Sequence, residues 1–453
     1  MIPRPSWADV ASVTRLALPV AGVQVGLMSM GIVDILMVGR VSARDMAAVA
    51  LGNLYFFAVT VFGIGVLLAL DPVVSQAVGA GDREAAARGL QRGLLIALAL
   101  GVLTSLALLP AEAVLRVASQ PAEVVPVAAG YILASVPGTA PFFVFVVFRQ
   151  SLQAMGRVAP ILGVALAANV VNLALNWMFI WGHFGAPAMG AVGSAWASTV
   201  SRWFLAVGLL AVAWPVLRPF LLPWRPGVGQ VRPLARMVAL GAPVGFQMQV
   251  EYGAFALVGI FMGWLGAESM AAHQIALNLA SVTFMVPLGI GAAAAVRVGQ
   301  EVGRDNLDGA RRAAAAAFVL GTGFMLCTTS LFLFLPAWLG RAFTNDPVVV
   351  GVAALLIPVA GVFQIFDGLQ AVAGGVLRGA GDTRAPMVAH AIGFWLLGLP
   401  LSVLLGFRLG FGPRGLWWGL AVGLAAVAVV LVFRVRTRLG SRIERLVIEE
   451  VGS

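Results

Sequence analysis

The sequence contains no lysine, one cysteine, three histidines and three tyrosines, and charged residues make up only 11% of its 453 positions. Soluble domains carry about a quarter charged residues. This chain therefore lacks the polar cover that a water-facing surface needs. Hydrophobic residues reach 60% and mean hydropathy is +0.97, so a bilayer is the solvent that accommodates the excess. A single cysteine, Cys327, excludes an intrachain disulfide. It lies in an apolar run and reads as a buried packing residue. Also missing are a Gly-rich phosphate loop ending in lysine, a paired-histidine metal motif and a soluble domain, which argues against an enzyme and against ATP-driven pumping by this chain alone. Met1–Asp9 has no signal-peptide pattern, so the first apolar run is expected to be retained as a helix.

What is present is a succession of apolar runs of roughly 20 residues or more, the length that spans a bilayer as a helix. The first six are Leu16–Val38, Met46–Leu70, Leu90–Leu109, Val127–Val147, Pro160–Trp181 and Met189–Trp214. Six more follow: Met237–Leu265, Met270–Val296, Ala313–Trp338, Pro347–Leu377, Pro386–Phe407 and Gly415–Phe433. The 29 basic residues, all arginine, sit between these runs rather than in one patch, which excludes a nucleic-acid partner. Twenty-two of them, including Arg4 and Arg15 at the start and Arg434–Arg445 at the end, fall on one side; six fall on the other, and Arg202 is left inside a span. The positive-inside rule then puts both termini in the cytoplasm.

The chain repeats itself. Pro19 pairs with Pro243, Met46 with Met270, Gly65 with Gly289 and Arg88 with Arg312, all at an offset of 224. Further on, Leu152 and Gly156 match Leu377 and Gly381, and Gly190–Trp196 resembles Gly412–Trp418. Six helices per repeat is an even number, so the repeats run parallel, as in carriers whose substrate and ion sites lie near the repeat interface. The expected fold is all-α: twelve transmembrane helices in two pseudo-twofold-related six-helix lobes. The N-lobe covers 1–216, a cytoplasmic linker 217–234 and the C-lobe 235–453 with a basic tail.

Three acidic residues fall well inside spans: Asp34, Glu251 and Asp367. An ionisable group at the bilayer centre costs at least about 2.5–3.5 kcal/mol, so each needs a reason. No basic residue shares their spans at similar depth, and the interior is expected to hold acids without bases. That composition favours protons, metal cations or organic cations, because a buried carboxyl can exchange a proton for another cation as its surroundings change. Asn172 and Asn176 share one helix face with Asn169 a turn earlier, and Ser198 and Thr199 lie on the next span. Such oxygens around a carboxylate suit a hard cation such as Na⁺, and equally suit plain interhelical hydrogen bonding. His273, Gln274 and Asn278 open the eighth span, and His390 reads as a hydrogen-bonded helix contact. Phe142, Phe143, Phe145 and Phe148 are expected to pack toward lipid.

Several stretches together resemble the multidrug and toxic compound extrusion family, in its NorM-like bacterial branch. They are Leu70-Asp71-Pro72-Val73-Val74-Ser75-Gln76-Ala77 with Gly79-Ala80-Gly81-Asp82, Ala271–Ala276, and Leu377-Arg378-Gly379-Ala380-Gly381-Asp382-Thr383. The resemblance spans essentially the whole chain. It implies a Na⁺- or H⁺-driven antiporter in the bacterial inner membrane that expels small cationic and amphipathic molecules, needs no cofactor, and has two lobes around a central cavity; such folds can act as monomers. It implies an N-lobe cation site at Asp34, Asn172, Asn176 and Ser198, and a C-lobe acidic pair, Glu251 and Asp367. Na⁺ could sit at either. Thr199, Gln274, Asn278 and Pro19 are secondary candidates. Phe363 stands where some members have a tyrosine; its ring can still attract a cation, but the lost hydroxyl shifts the C-lobe site toward protons. A lipid-linked oligosaccharide flippase of the same wider superfamily is an alternative, but would call for buried basic groups. A non-transporting membrane receptor is another, at odds with the duplicated lobes.

Overall fold

The computed structural model describes residues 5–448; Arg4 lies outside the described residues. Twelve helices in it are long and apolar enough to cross a membrane, and no strand occurs among the described residues. The first six are α1 (Trp7–Val38), α2 (Ala43–Gly79), α3 (Arg83–Leu108), α4 (Val125–Ala154), α5 (Ala159–Trp181) and α6 (Gly190–Val212). The second six are α7 (Val231–Trp264), α8 (Ala267–Gly303), α9 (Leu307–Phe334), α10 (Pro347–Gly379), α11 (Arg384–Arg408) and α12 (Gly412–Gly440). Each expected span has its helix. The repeat is visible in the boundaries, since both ends of α2 and α8 differ by the same 224 residues.

The helices outrun the apolar runs where polar residues can cap them. α1 begins at Trp7, not Leu16, because Ser6 and Asp9 cap it reciprocally: the Ser6 Oγ donates to Asp9 Oδ2 at 2.7 Å, and the Asp9 amide donates to Ser6 Oγ at 3.2 Å. The outward faces are apolar, with Leu18 71%, Leu103 62% and Leu396 73% exposed. A water-soluble bundle would bury these side chains, and their exposure is the expected arrangement in lipid. Cys327 also faces outward from α9, against the expectation of burial. Conversely, Phe143, Phe145 and Phe148 are buried inside the bundle and do not pack toward lipid.

Two compact units divide the chain. The N unit takes Gly22–Gly245 and the tail from Val447; the C unit takes the start through Ala21 and Phe246–Leu446. The cut therefore falls inside α1 and α7, just past Pro19 and Pro243, and not at the linker expected over 217–234. Close packing explains it. A Cβ on Gly65 of α2 would collide with the backbone of Gly245 in α7, and a Cβ on Gly289 of α8 would collide with Ala21 in α1. These are the same contact in the two repeats, and each ties the leading part of one long helix to a neighbouring bundle. The linker itself is pinned, because buried Gln91 of α3 donates to the carbonyls of Phe220, Leu221 and Pro223 at 3.0–3.1 Å and accepts from the Arg225 amide at 2.9 Å.

α11 departs from a regular helix. Ala391–Gly398 and Leu404–Arg408 form wide π turns. Pro400 cannot donate to the ladder, and such turns mark inserted strain in otherwise α-helical segments. The widened stretch brings Gly393 and Gly398 against Gly423 of α12, where no side chain would fit.

Candidate functional site

In the N unit, three helices converge on one carboxylate. Asp34 in α1 is 3% exposed. Asn176 Nδ2 donates to its Oδ1 at 2.6 Å, and Ser198 Oγ donates to its Oδ2 at 2.6 Å. Asn172 joins one turn back on α5, its Oδ1 accepting from Asn176 Nδ2 at 3.0 Å. Asn169 fixes the height of α1 against α5 by donating to the Gly26 carbonyl at 2.9 Å. The expected cluster of Asp34, Asn172, Asn176 and Ser198 is thus assembled. Thr199 is not part of it: its hydroxyl donates to the Ala134 carbonyl at 2.7 Å.

The expectation of acids without bases does not hold in this unit. Arg202 lies four residues after Ser198 on α6, on the same helix face, and its charge acts on Asp34. Its guanidinium stacks 3.9 Å above the Phe56 ring. A fourth buried acid, Asp71 in α2, is fully enclosed. Gln150 Nε2 donates to its Oδ1 at 2.7 Å, and Arg149 Nε donates to Gln150 Oε1 at 3.2 Å. Position in a span does not say which neighbour a side chain faces; for Arg202 the spacing of four from Ser198 carries that signal.

The C unit gathers a different set. Glu251 of α7 and Asp367 of α10 interact electrostatically, and among the described residues no arginine acts on either. His390 of α11 links them. Its Nε2 lies 3.0 Å from Gln370 Oε1 and 3.8 Å from Glu251 Oε2. Gln370 Nε2 in turn donates to Asp367 Oδ1 at 3.1 Å. The opposite ring nitrogen, Nδ1, sits 2.8 Å from the Pro386 carbonyl. Gln247 Nε2 approaches His390 Nε2 at 3.3 Å. His390 is therefore a member of the acidic site as well as a helix contact. Phe363 is 2% exposed, and its ring meets Phe255 and Trp417 nearly edge to face, each 5.8 Å away. Gln274 and Asn278 are exposed and take no part in these bonds; the Asn278 amide donates back to the Gln274 carbonyl at 2.8 Å. Pro19 lies within α1, where it marks the unit boundary.

A family model described as MatE matches residues 19–178 and again 243–404, both segments of the internal repeat. The chain belongs to the MatE family, the multidrug and toxic compound extrusion transporters. Relatives of this MATE transporter include the "Probable multidrug resistance protein NorM" of Rhizobium meliloti, 36% identical over 92% of this chain and 91% of that protein. The "Multidrug resistance protein MdtK" of Edwardsiella ictaluri is 33% identical over 95% of this chain and 96% of its own length. The fold is also that of the eukaryotic MATE transporter AtDTX14, with a TM-score of 0.87, 22% identity, and coverage of 96% of this chain and 98% of that one. The chain is a NorM-like member and a multi-pass membrane protein.

A hard cation needs oxygens that face it. The C unit of this MATE transporter offers two carboxylates with no arginine among the described residues acting on them, an arrangement open to a proton or a hard cation. In its N unit each Asp34 oxygen accepts one hydrogen bond, the enclosed Asn176 Oδ1 has no donor, and the charge of Arg202 acts on the carboxylate, so a cation entering there would meet a resident positive charge.

Proposed function

We propose that this MATE transporter is a multidrug efflux antiporter of the bacterial inner membrane, carrying Na⁺ or H⁺ inward and cationic, amphipathic organic molecules outward by alternating access, with both termini in the cytoplasm. The observation that carries this reading is the pair of a buried Asp367 and a partly buried Glu251 with no arginine among the described residues acting on them, in a chain whose relatives bear the names of multidrug resistance proteins. An empty, doubly ionised pair in a low-dielectric interior is costly. The pair is therefore occupied by cations in each stable state, and exchange of one cation for another is the natural cycle. Gln370 and His390 couple the two carboxyls, so that loading one is felt by the other.

The arginine asymmetry supports the orientation, and the repeat supports movement of one half against the other. Ethidium uptake into everted vesicles, driven separately by a Na⁺ gradient and a pH gradient, tests the proposal. Uptake dependent on at least one gradient is expected, and independence from both would refute antiport.

A further inference from the structure

The guanidinium of Arg202 is permanently charged at any attainable pH. A lysine or histidine in its place could shed its proton when buried; this side chain cannot. It nevertheless sits within the N unit, with Nη1 enclosed and lacking a hydrogen-bond partner. What surrounds it is built for a cation. Phe56 presents its ring face at 3.9 Å, and Phe142 lies at 5.9 Å. Gly138 leaves room for the aliphatic stem, since a Cβ there would press on Arg202 Cδ at 3.1 Å. Tyr131 is fully enclosed and is occupied elsewhere, its hydroxyl donating to Asn53 Oδ1 at 2.9 Å. Asp34 is the buried acid within electrostatic reach of Arg202, short of direct contact; it is held by Ser198, one helical turn from Arg202 on the same face of α6.

We propose that Arg202 is the resident counter-cation of Asp34, filling in the N unit the place that a transported cation would take. Three consequences follow from charge alone. The pairing favours the ionised form of Asp34, because protonating it would leave a largely enclosed guanidinium without a counter-charge. A sodium ion gains less by entering, because the charge of Arg202 opposes it and because it must compete with the hydrogen bonds from Asn176 and Ser198. Exchange of the coupling ion then falls to Glu251 and Asp367. Only this last consequence rests on the antiport reading; the pairing itself requires no transport.

Two measurements on purified protein test the pairing without relying on efflux. The first compares thermal unfolding of the parent, Asp34→Asn, Arg202→Gln and the double variant. Each single variant should unfold at a lower temperature, because it strands one buried charge. The double variant should regain most of the loss. Losses that simply add, or an Asp34→Asn protein as stable as the parent, would overturn the proposal. The second uses a protein carrying Glu251→Gln and Asp367→Asn. Raising NaCl, with choline chloride as the ionic-strength control, should leave its melting temperature unmoved. A Na⁺-specific rise that Asp34→Asn then removes would show a free cation site at Asp34 and sink the assignment. Vesicle efflux can fail in either protein without touching these outcomes, so failure of the transport reading and failure of the pairing are separable.

Discussion

The two units share a frame and differ in their buried charges. At the offsets of the repeat, Asp34 corresponds to Val258, Glu251 to Leu27 and Asp367 to Phe142. Asp71 corresponds to Ala295, while Arg149 and Gln150 correspond to Gly374 and Gly375. Where the N unit holds a hydrogen-bonded network of Asp71, Gln150 and Arg149, the C unit closes with small residues: a Cβ on Gly375 would collide with the Gly291 backbone, and one on Gly379 with Ala295. The N unit thus sets two buried acids against two arginines. The C unit has two acids and a histidine. Duplication preserves backbone contacts because they depend on small side chains at fixed spacing. It does not preserve charge, because a carboxylate needs only some compensating partner, and each unit supplies its own.

The sharpest way to break this comparison is to neutralise the C unit. Glu251→Gln with Asp367→Asn should reduce gradient-driven ethidium uptake into everted vesicles to the passive leak; uptake that persists would move coupling to the N unit. Next in size is Asp71→Asn. It leaves Arg149 facing a neutral amide and should cost about 3 kcal/mol, seen as a lowered melting temperature of the detergent-solubilised protein. Gly65→Val and Gly289→Val probe the shared frame. Each forces a side chain into the backbone of a crossing helix, so each should destabilise by about 2 kcal/mol, and a marked difference between them in the same unfolding assay would weaken the claim of equivalent contacts. Asn176→Ala removes one bond to a charged acceptor and should cost about 1.5 kcal/mol. At the bottom of the scale, Asn278→Ala alters an exposed amide bonded to its own helix, and a change above about 0.5 kcal/mol or any loss of efflux would restore Asn278 as a site residue.

Much of this was legible in the residues. Asn172 and Asn176 sit four apart, a spacing that stacks them on one helix face, where Asn176 reaches Asp34 and also donates to Asn172. Glu251 and Asp367 stood out because carboxyls are rare at that depth. His390 was visible only as a polar residue in a span. Its place between the acids depends on how α11 rotates against α7 and α10, and that rotation follows from π turns and glycine contacts that no hydropathy pattern reports. Gln274 and Asn278 lie exposed and outside both bonded clusters for the converse reason: polar residues on a helix declare that they need partners, not which way the helix turns them.

What the sequence determined by itself is the partition between lipid and protein. Twelve apolar runs, arginines between them and a repeat at 224 residues set the number, order and duplication of the helices, because the cost of exposing backbone and charge to hydrocarbon leaves few other solutions. What only the tertiary structure decided is which buried charges find a partner. Ser198 and Asp34 lie 164 positions apart in the chain, and their meeting depends on the packing of α1, α5 and α6. Electrostatic pairing acts over a few ångströms at directions set by helix rotation, and neither quantity is written in the order of the residues.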